Sequence, residues 1–239
     1  MNILALDTST EACSAALLSA GDIIERRALA PRRHADLIMS MIAAVMAEAG
    51  MAATQLDAVA FGRGPGAFTG VRIATGVVQG IAFAADLPVA PISTLAAIAH
   101  ATLHEHGVKR VAVAIDARMD EVYWGNYQAT PDGGVVLLGQ ERVCQPAAVT
   151  LAGGGEWFGA GSGWAAHTDA LRLLGVKDWR SDCYPWARDI VLLGALAYAR
   201  GEAVAAEQAL PVYLRDAVAQ KATNPGLSQP WRPLPKRKP

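Results

Sequence analysis

Two acids stand where an apolar strand gives way to a polar turn. Asp7 closes Ile3–Leu6 and precedes Thr8-Ser9-Thr10, and Asp116 closes Val111–Ile115. Carboxylates so placed hold Mg²⁺ or its waters in phosphoryl transfer, or simply cap the turn that follows their own strand. Between a buried strand and a helix N-terminus runs Gly62-Arg63-Gly64-Pro65-Gly66-Ala67-Phe68-Thr69-Gly70-Val71-Arg72. Glycines let backbone N–H groups point outward and a helix start favours an anion. Arg63, Gly64, Gly66 and Arg72, with Asp7, are therefore candidate contacts to a nucleotide or other anion; the alternative is a tight structural turn. The spacing matches neither the dinucleotide fingerprint nor the P-loop. His100 and His104 have the i, i+4 spacing of a zinc clasp, but a third ligand is not evident. They read instead as exposed histidines near a helix C-terminus, where the helix dipole favours them. Cys13 and Cys183 read as packing residues.

The 239 residues carry 21 basic and 22 acidic side chains, 18% charged and 52% hydrophobic, with mean hydropathy +0.23. Such a chain buries a core and is too apolar and too weakly charged for a disordered protein. Apolar runs such as Val191–Ala199 fall short of the roughly 18 residues of a membrane span. The start lacks the basic region of a secretory signal. Three scattered cysteines, Cys13, Cys144 and Cys183, fit a reducing compartment. These features lead to a cytoplasmic protein with no membrane partner. All 22 acids precede residue 217, whereas residues 217–239 hold Lys221, Arg232, Lys236, Arg237 and Lys238 and no acid. Five prolines between Thr223 and Pro239 make this stretch a flexible basic tail, either a solvated end or a contact to RNA or an acidic partner.

The elements that position the two acids repeat. Ile3–Asp7, Cys13–Leu18 and Ile23–Ala28 read as three antiparallel strands, followed by a helix over 34–49 with Leu37, Ile38, Met41, Ile42, Val45 and Met46 on one face. A strand over 56–62, a small-residue helix over 69–85, a short strand over 87–91 and a helix capped by Ser93 complete a first lobe, 1–106. After Gly107 the pattern restarts with strands over 111–116, 121–127 and 135–140, then helical stretches over 146–151, 165–174 and 186–200. These form a second, smaller lobe, 107–216, whose final helix packs back toward the first. Two such units make an α/β protein of two ribonuclease-H-like lobes, the actin-like and sugar-kinase-like ATPase superfold. Fold alone does not assign a function.

The strings Ile3-Leu4-Ala5-Leu6-Asp7-Thr8-Ser9-Thr10, the lone His34, Gly62 to Arg72, Asp116-Ala117-Arg118 with Glu121-Val122-Tyr123, and Pro211-Val212-Tyr213-Leu214-Arg215 closely resemble the bacterial TsaB (YeaZ) family over about residues 1–216. The resemblance implies a non-catalytic dimerisation subunit in the synthesis of N6-threonylcarbamoyladenosine, on the tRNA adenosine next to the anticodon. Catalysis would belong to the paralogue TsaD. The ATPase TsaE would join the complex, TsaC would supply threonylcarbamoyl-adenylate, and tRNA would be met through the assembly. It further implies no cofactor of the chain's own, ATP or ADP at the subunit junction, and a homodimer in the absence of partner. TsaD-type proteins carry a metal-binding His-x-x-x-His where this sequence has Thr94 and Ile98, which cannot replace two imidazoles. His34, Ile38, Met41, Ile42 and Val45 of the first helix, with Ala74, Val77, Val78 and Ile81 of the second, are the expected partner-facing residues. Arg118 and Glu121 are expected to serve the second-lobe hairpin structurally. The alternative function is a nucleotide-dependent phosphotransferase using Asp7 and Asp116.

Overall fold

The computed structural model describes residues 1–215, so the basic tail, 217–239, lies outside the described residues. Three antiparallel strands, β1 (Ile3–Asp7), β2 (Ala12–Ser19) and β3 (Asp22–Leu29), form half of the first sheet; β4 (Ala58–Gly62) and β5 (Val89–Ile92) extend it in parallel beyond β1, giving the order β3-β2-β1-β4-β5. β1 and β4 are buried along their whole length, as unbroken apolar runs in the middle of a covered sheet should be. Two helices, α1 (His34–Glu48) and α2 (Phe68–Ala85), lie on one face, packing Ile38, Val45, Ala74 and Val78 onto Leu6, Leu17 and Phe61.

The second sheet repeats this plan. β6 (Arg110–Arg118), β7 (Glu121–Ala129) and β8 (Val135–Leu137) are antiparallel, and β10 (Phe158–Ala160) and β11 (Asp178–Arg180) continue in parallel on the far side of β6, so that β8-β7-β6-β10-β11 mirrors the first order. The short β9 (Arg142–Cys144) also pairs with β7. Trp124, Trp157 and Trp164 fill the core on one face. This duplicated strand order with flanking helices is the two-lobed ribonuclease-H-like arrangement expected from the sequence.

Helices cross between the lobes. α3 (Thr94–His106) lays Leu95, Ile98 and Leu103 on Val111, Val113 and Ile115 of the second sheet, so the helix placed in the first lobe by a boundary at 106 packs with the second. Its start is fixed by Ser93, whose hydroxyl accepts from the N–H groups of Leu95 and Ala96 at 3.1 and 3.2 Å, a standard N-cap. α6 (Ala187–Ala199) returns to the first sheet and sets Ile190 and Val191 against Ile3, Ala58 and Ala90. Where α3 meets α6, His100 Nδ1 lies 2.7 Å from Asp189 Oδ1, and both side chains are buried. The expectation of an exposed His100 is therefore corrected: α3 is covered by a sheet on one side and a helix on the other. His104 and His106 are exposed.

Other local differences have one cause. The helical stretch expected over 146–151 is a single 3₁₀ turn, Pro146–Ala148, and that over 165–174 is broken into α4 (Gly163–Ala166), α5 (Thr168–Leu171) and a 3₁₀ turn, Arg172–Leu174. β9 and β11 are three residues each and were not anticipated. Elements this short show no periodicity that a sequence can reveal.

Candidate functional site

Asp7 ends β1 with its carboxylate turned inward. Oδ1 accepts from the N–H and the hydroxyl of Ser9, both at 2.9 Å. The group is fully buried, and burial pushes its pKa from 3.8 up to about 7 against the opposing pull of the Ser9 bonds. Asp7, expected as a nucleotide or metal contact, has no exposed surface in this structure. Asp116 caps its own turn in the same way, accepting from Arg118 N–H and from Arg118 Nη1, each at 3.0 Å, but it remains half-buried at the cleft between the lobes.

The glycine string is a packed joint. Arg63 N–H donates to Ile92 O at 2.8 Å, Ala67 N–H to Ser9 O at 2.7 Å, Thr94 N–H to Gly64 O at 3.0 Å and Val212 N–H to Arg63 O at 2.8 Å. A Cβ on Gly66 would meet Ser9 O at 2.3 Å, and one on Gly70 would meet Thr8 O at 1.9 Å; no side chain fits there. Gly64 and Gly66 thus leave no room for a side chain because carbonyl oxygens of Val212 and Ser9 pack against them. Arg63 is half-buried, and its Nε has no hydrogen-bond partner among the described residues. The loop ties together the β1–β2 turn, the start of α3 and the C-terminal segment.

Beside this joint lies a polar group that sequence reasoning missed. Tyr127 of β7 and Ser93 both donate to the Glu141 carboxylate, and burial with the Glu141 charge raises the Tyr127 pKa well above its ordinary value. Thr94, at one of the positions where TsaD-type proteins place a metal ligand, donates its hydroxyl to Ser9 Oγ at 3.1 Å; Ile98, at the other, is core. No three His, Cys, Asp or Glu side chains converge among the described residues. Nothing in the spacing of Ser93, Tyr127 and Glu141 signals their meeting, because two lobes bring them together.

A cavity of about 760 Å³ separates the lobes, with Glu11, Arg32 and His34 on one wall, Asp116, Arg118 and Tyr123 on the other, and Val212–Arg215 along an edge. Arg118 reaches across it: Nη1 pairs with Asp116 and Nη2 lies 3.8 Å from Glu11 Oε1. Arg215 crosses the same junction, donating to the Ala117 carbonyl at 3.1 Å and pairing with Glu121. The turn between them is tight, with Arg118, Met119 and Asp120 all at positive φ of 62°, 56° and 58° in the manner of a type I′ hairpin. A larger groove of about 1160 Å³ lies at the far end of the second lobe, where Arg110 turns inward onto Gln128 and Gly154 and Lys177 onto Glu156.

The outer faces of α1 and α2 are open. Ile38, Ile42, Val45, Ala74 and Val78, expected at a partner interface, are buried beneath the helices; Met41, Val77 and Ile81 are half-buried on the same core; His34 is buried, its Nε2 3.2 Å from Ala12 O. The strongest apolar stripe of each helix thus goes to its own sheet. Outward point Ala35, Met39, Ala43 and Ala47 of α1, and Phe68, Arg72, Gly76, Gly80 and Phe83 of α2. Phe83 is 82% exposed and Met39 54%, and added Cβ atoms at Gly76 and Gly80 would meet nothing within 4 Å. By length and composition α2 is also apolar enough to cross a membrane. It joins the adjacent parallel strands β4 and β5, so both its ends return to one sheet.

A sequence model of the family described as TsaD, tRNA N6-adenosine threonylcarbamoyltransferase, matches residues 25–157. The tRNA threonylcarbamoyladenosine biosynthesis protein TsaB of Escherichia coli (strain K12) is 41% identical over 227 residues, covering 92% of this chain and 97% of that one. The chain belongs to the TsaB family. Another TsaB, from Haemophilus influenzae, is 41% identical over 232 residues, 92% of this chain and 96% of its own. Among solved structures, YeaZ from Pseudomonas aeruginosa is 50% identical, with a TM-score of 0.85 over 89% of this chain and 99% of that one. The family strings seen in the sequence therefore map onto one region: the β1 end, the glycine joint, the β6–β7 hairpin and the Pro211–Arg215 segment all border the cleft.

Proposed function

We propose that this TsaB-family chain is a non-catalytic subunit that binds a TsaD-type partner through the outer faces of α1 and α2 and supports that partner's transfer of a threonylcarbamoyl group to tRNA. The observation that carries this is the contrast between a sealed Asp7 and an open helix face. Phosphoryl transfer requires acids that reach a metal-bound nucleotide; here the first-lobe acid is buried and the glycine loop is filled by its own backbone. An exposed apolar patch on two adjacent helices calls for a protein cover, and Gly76 and Gly80 leave room for a helix to approach closely.

The TsaD family model spans both helices, so a TsaD-type partner brings an equivalent helix pair, and two such pairs can pack about a pseudo-two-fold axis. A second copy of the chain would use the same face, making homodimer and heterodimer mutually exclusive. ATP or ADP and a TsaE-type ATPase would meet the complex at the junction beside the cleft, and tRNA would be met through the assembly.

The test mixes the purified chain with a TsaD-type partner from the same source, in the presence of a TsaE-type ATPase, ATP, threonylcarbamoyl-adenylate and tRNA, alongside each protein alone. Transfer only in the mixture, with a co-eluting heterodimer, supports the proposal. Metal-dependent ATP turnover by this chain alone, with no heterodimer, overturns it.

A further inference from the structure

Arg72 is the only charged residue in the 18 residues of α2, and it stands on the outward stripe that continues through Gly76 and Gly80. Its guanidinium carbon lies 3.5 Å from the ring centroid of Phe68, one turn earlier on the helix, and 5.6 Å from that of Tyr213. The two rings are themselves 5.5 Å apart. Nε donates to the Tyr213 hydroxyl at 2.8 Å, while neither terminal nitrogen has an acceptor among the described residues. Tyr213 is held in turn by its neighbours, since Val212 is bonded to Arg63 and Arg215 to the β6–β7 hairpin. The glycine joint and the C-terminal segment thus converge to fix one exposed arginine.

A guanidinium stacked on an aromatic ring with both Nη atoms free is a pre-organised receptor for a planar, bidentate acceptor, and a carboxylate fits that geometry. Covering the α2 stripe would take Arg72 out of water, and a desolvated cation without an anion opposes association. The surface that covers it must bring the anion. We infer that Arg72 is the charged anchor of this face and takes an Asp or Glu side chain of the TsaD-type subunit. The inference rests on the proposed pairing, and it adds to the apolar contact a bidentate ion pair that fixes the register of the helices. Because the side chain is already ordered, little conformational entropy is lost when the pair forms.

The experiment is titration calorimetry of the full chain with the TsaD-type partner, using wild type, Arg72→Met, Arg72→Lys, Arg72→Glu and Phe83→Asp, each first checked for an unchanged melt. Arg72→Met keeps the stem but removes the charge and is expected to weaken binding roughly 30-fold or more, the range of an interface hot spot. Arg72→Lys restores only part of this, and Arg72→Glu abolishes binding until one partner carboxylate is changed to arginine. Arg72→Met binding as tightly as wild type, while Phe83→Asp does not bind, overturns the anchor and leaves the proposed pairing standing. Wild type failing to bind the partner overturns both.

Discussion

A methyl group added to Gly62 of β4 would sit 1.7 Å from Oδ2 of Asp7 on β1. The carboxylate therefore occupies the volume a neighbouring strand's side chain would need, and Ser9 keeps it from swinging away. Gly62→Ala is expected to destabilise the protein by about 2–3 kcal/mol through overpacking. Urea denaturation measures this, and a change within experimental error would mean that Asp7 has room to move.

The same burial sets a pH dependence. In the unfolded chain Asp7 has an ordinary pKa of 3.8, and in the fold it has one of about 7. Between these values the folded state keeps a proton that the unfolded state has released, so stability falls as pH rises, at up to about 1.4 kcal/mol per unit, and levels off above the folded pKa. Asp7→Asn, which carries no titrating proton, should lose this slope. Denaturation curves at a series of pH values for both proteins check it; parallel pH profiles would contradict it.

His100 and Asp189 join a helix of the second sheet's layer to one of the first. Truncating either leaves a buried polar group unpartnered and is expected to cost about 3 kcal/mol. Removing both should cost clearly less than the sum of the single changes. A double-mutant cycle of His100→Leu and Asp189→Leu in denaturant reads this coupling directly, and additive effects would show that the contact contributes nothing specific.

Phe83 is solvated in the monomer, so Phe83→Asp should leave the melting temperature within a degree or two. In the partner titration the same change buries a carboxylate in an apolar contact and should reduce binding beyond detection. A variant that unfolds would place Phe83 in the core instead.

Much of this fold was legible in the sequence. The repeated strand, acid and polar turn at Asp7 and Asp116 marked both lobes, and the periodic residues of α1 and α2 marked the helices. What periodicity could not give was which side of each helix remains uncovered. Ile38, Ile42 and Val45 recur most regularly because they face the sheet, whereas the open face is written in small and scattered residues such as Ala43, Gly76 and Phe83. Contacts between the lobes were invisible for another reason. Ser93 with Glu141, His100 with Asp189, and Arg72 with Tyr213 are separated by 48, 89 and 141 positions, and only the closed chain brings them together. The glycine string was recognisable, but its meaning turned on what lies opposite, the carbonyls of Thr8 and Ser9.

The central claim, that the chain acts through its helix face and not through a catalytic acid, is tested most directly by threonylcarbamoyl transfer to tRNA in the complete mixture with two variants. Asp7→Asn, assayed where it is folded, should support transfer at the wild-type rate, and Phe83→Asp should support none. Loss of transfer with Asp7→Asn in a heterodimer that still forms, together with full activity of Phe83→Asp, would contradict it.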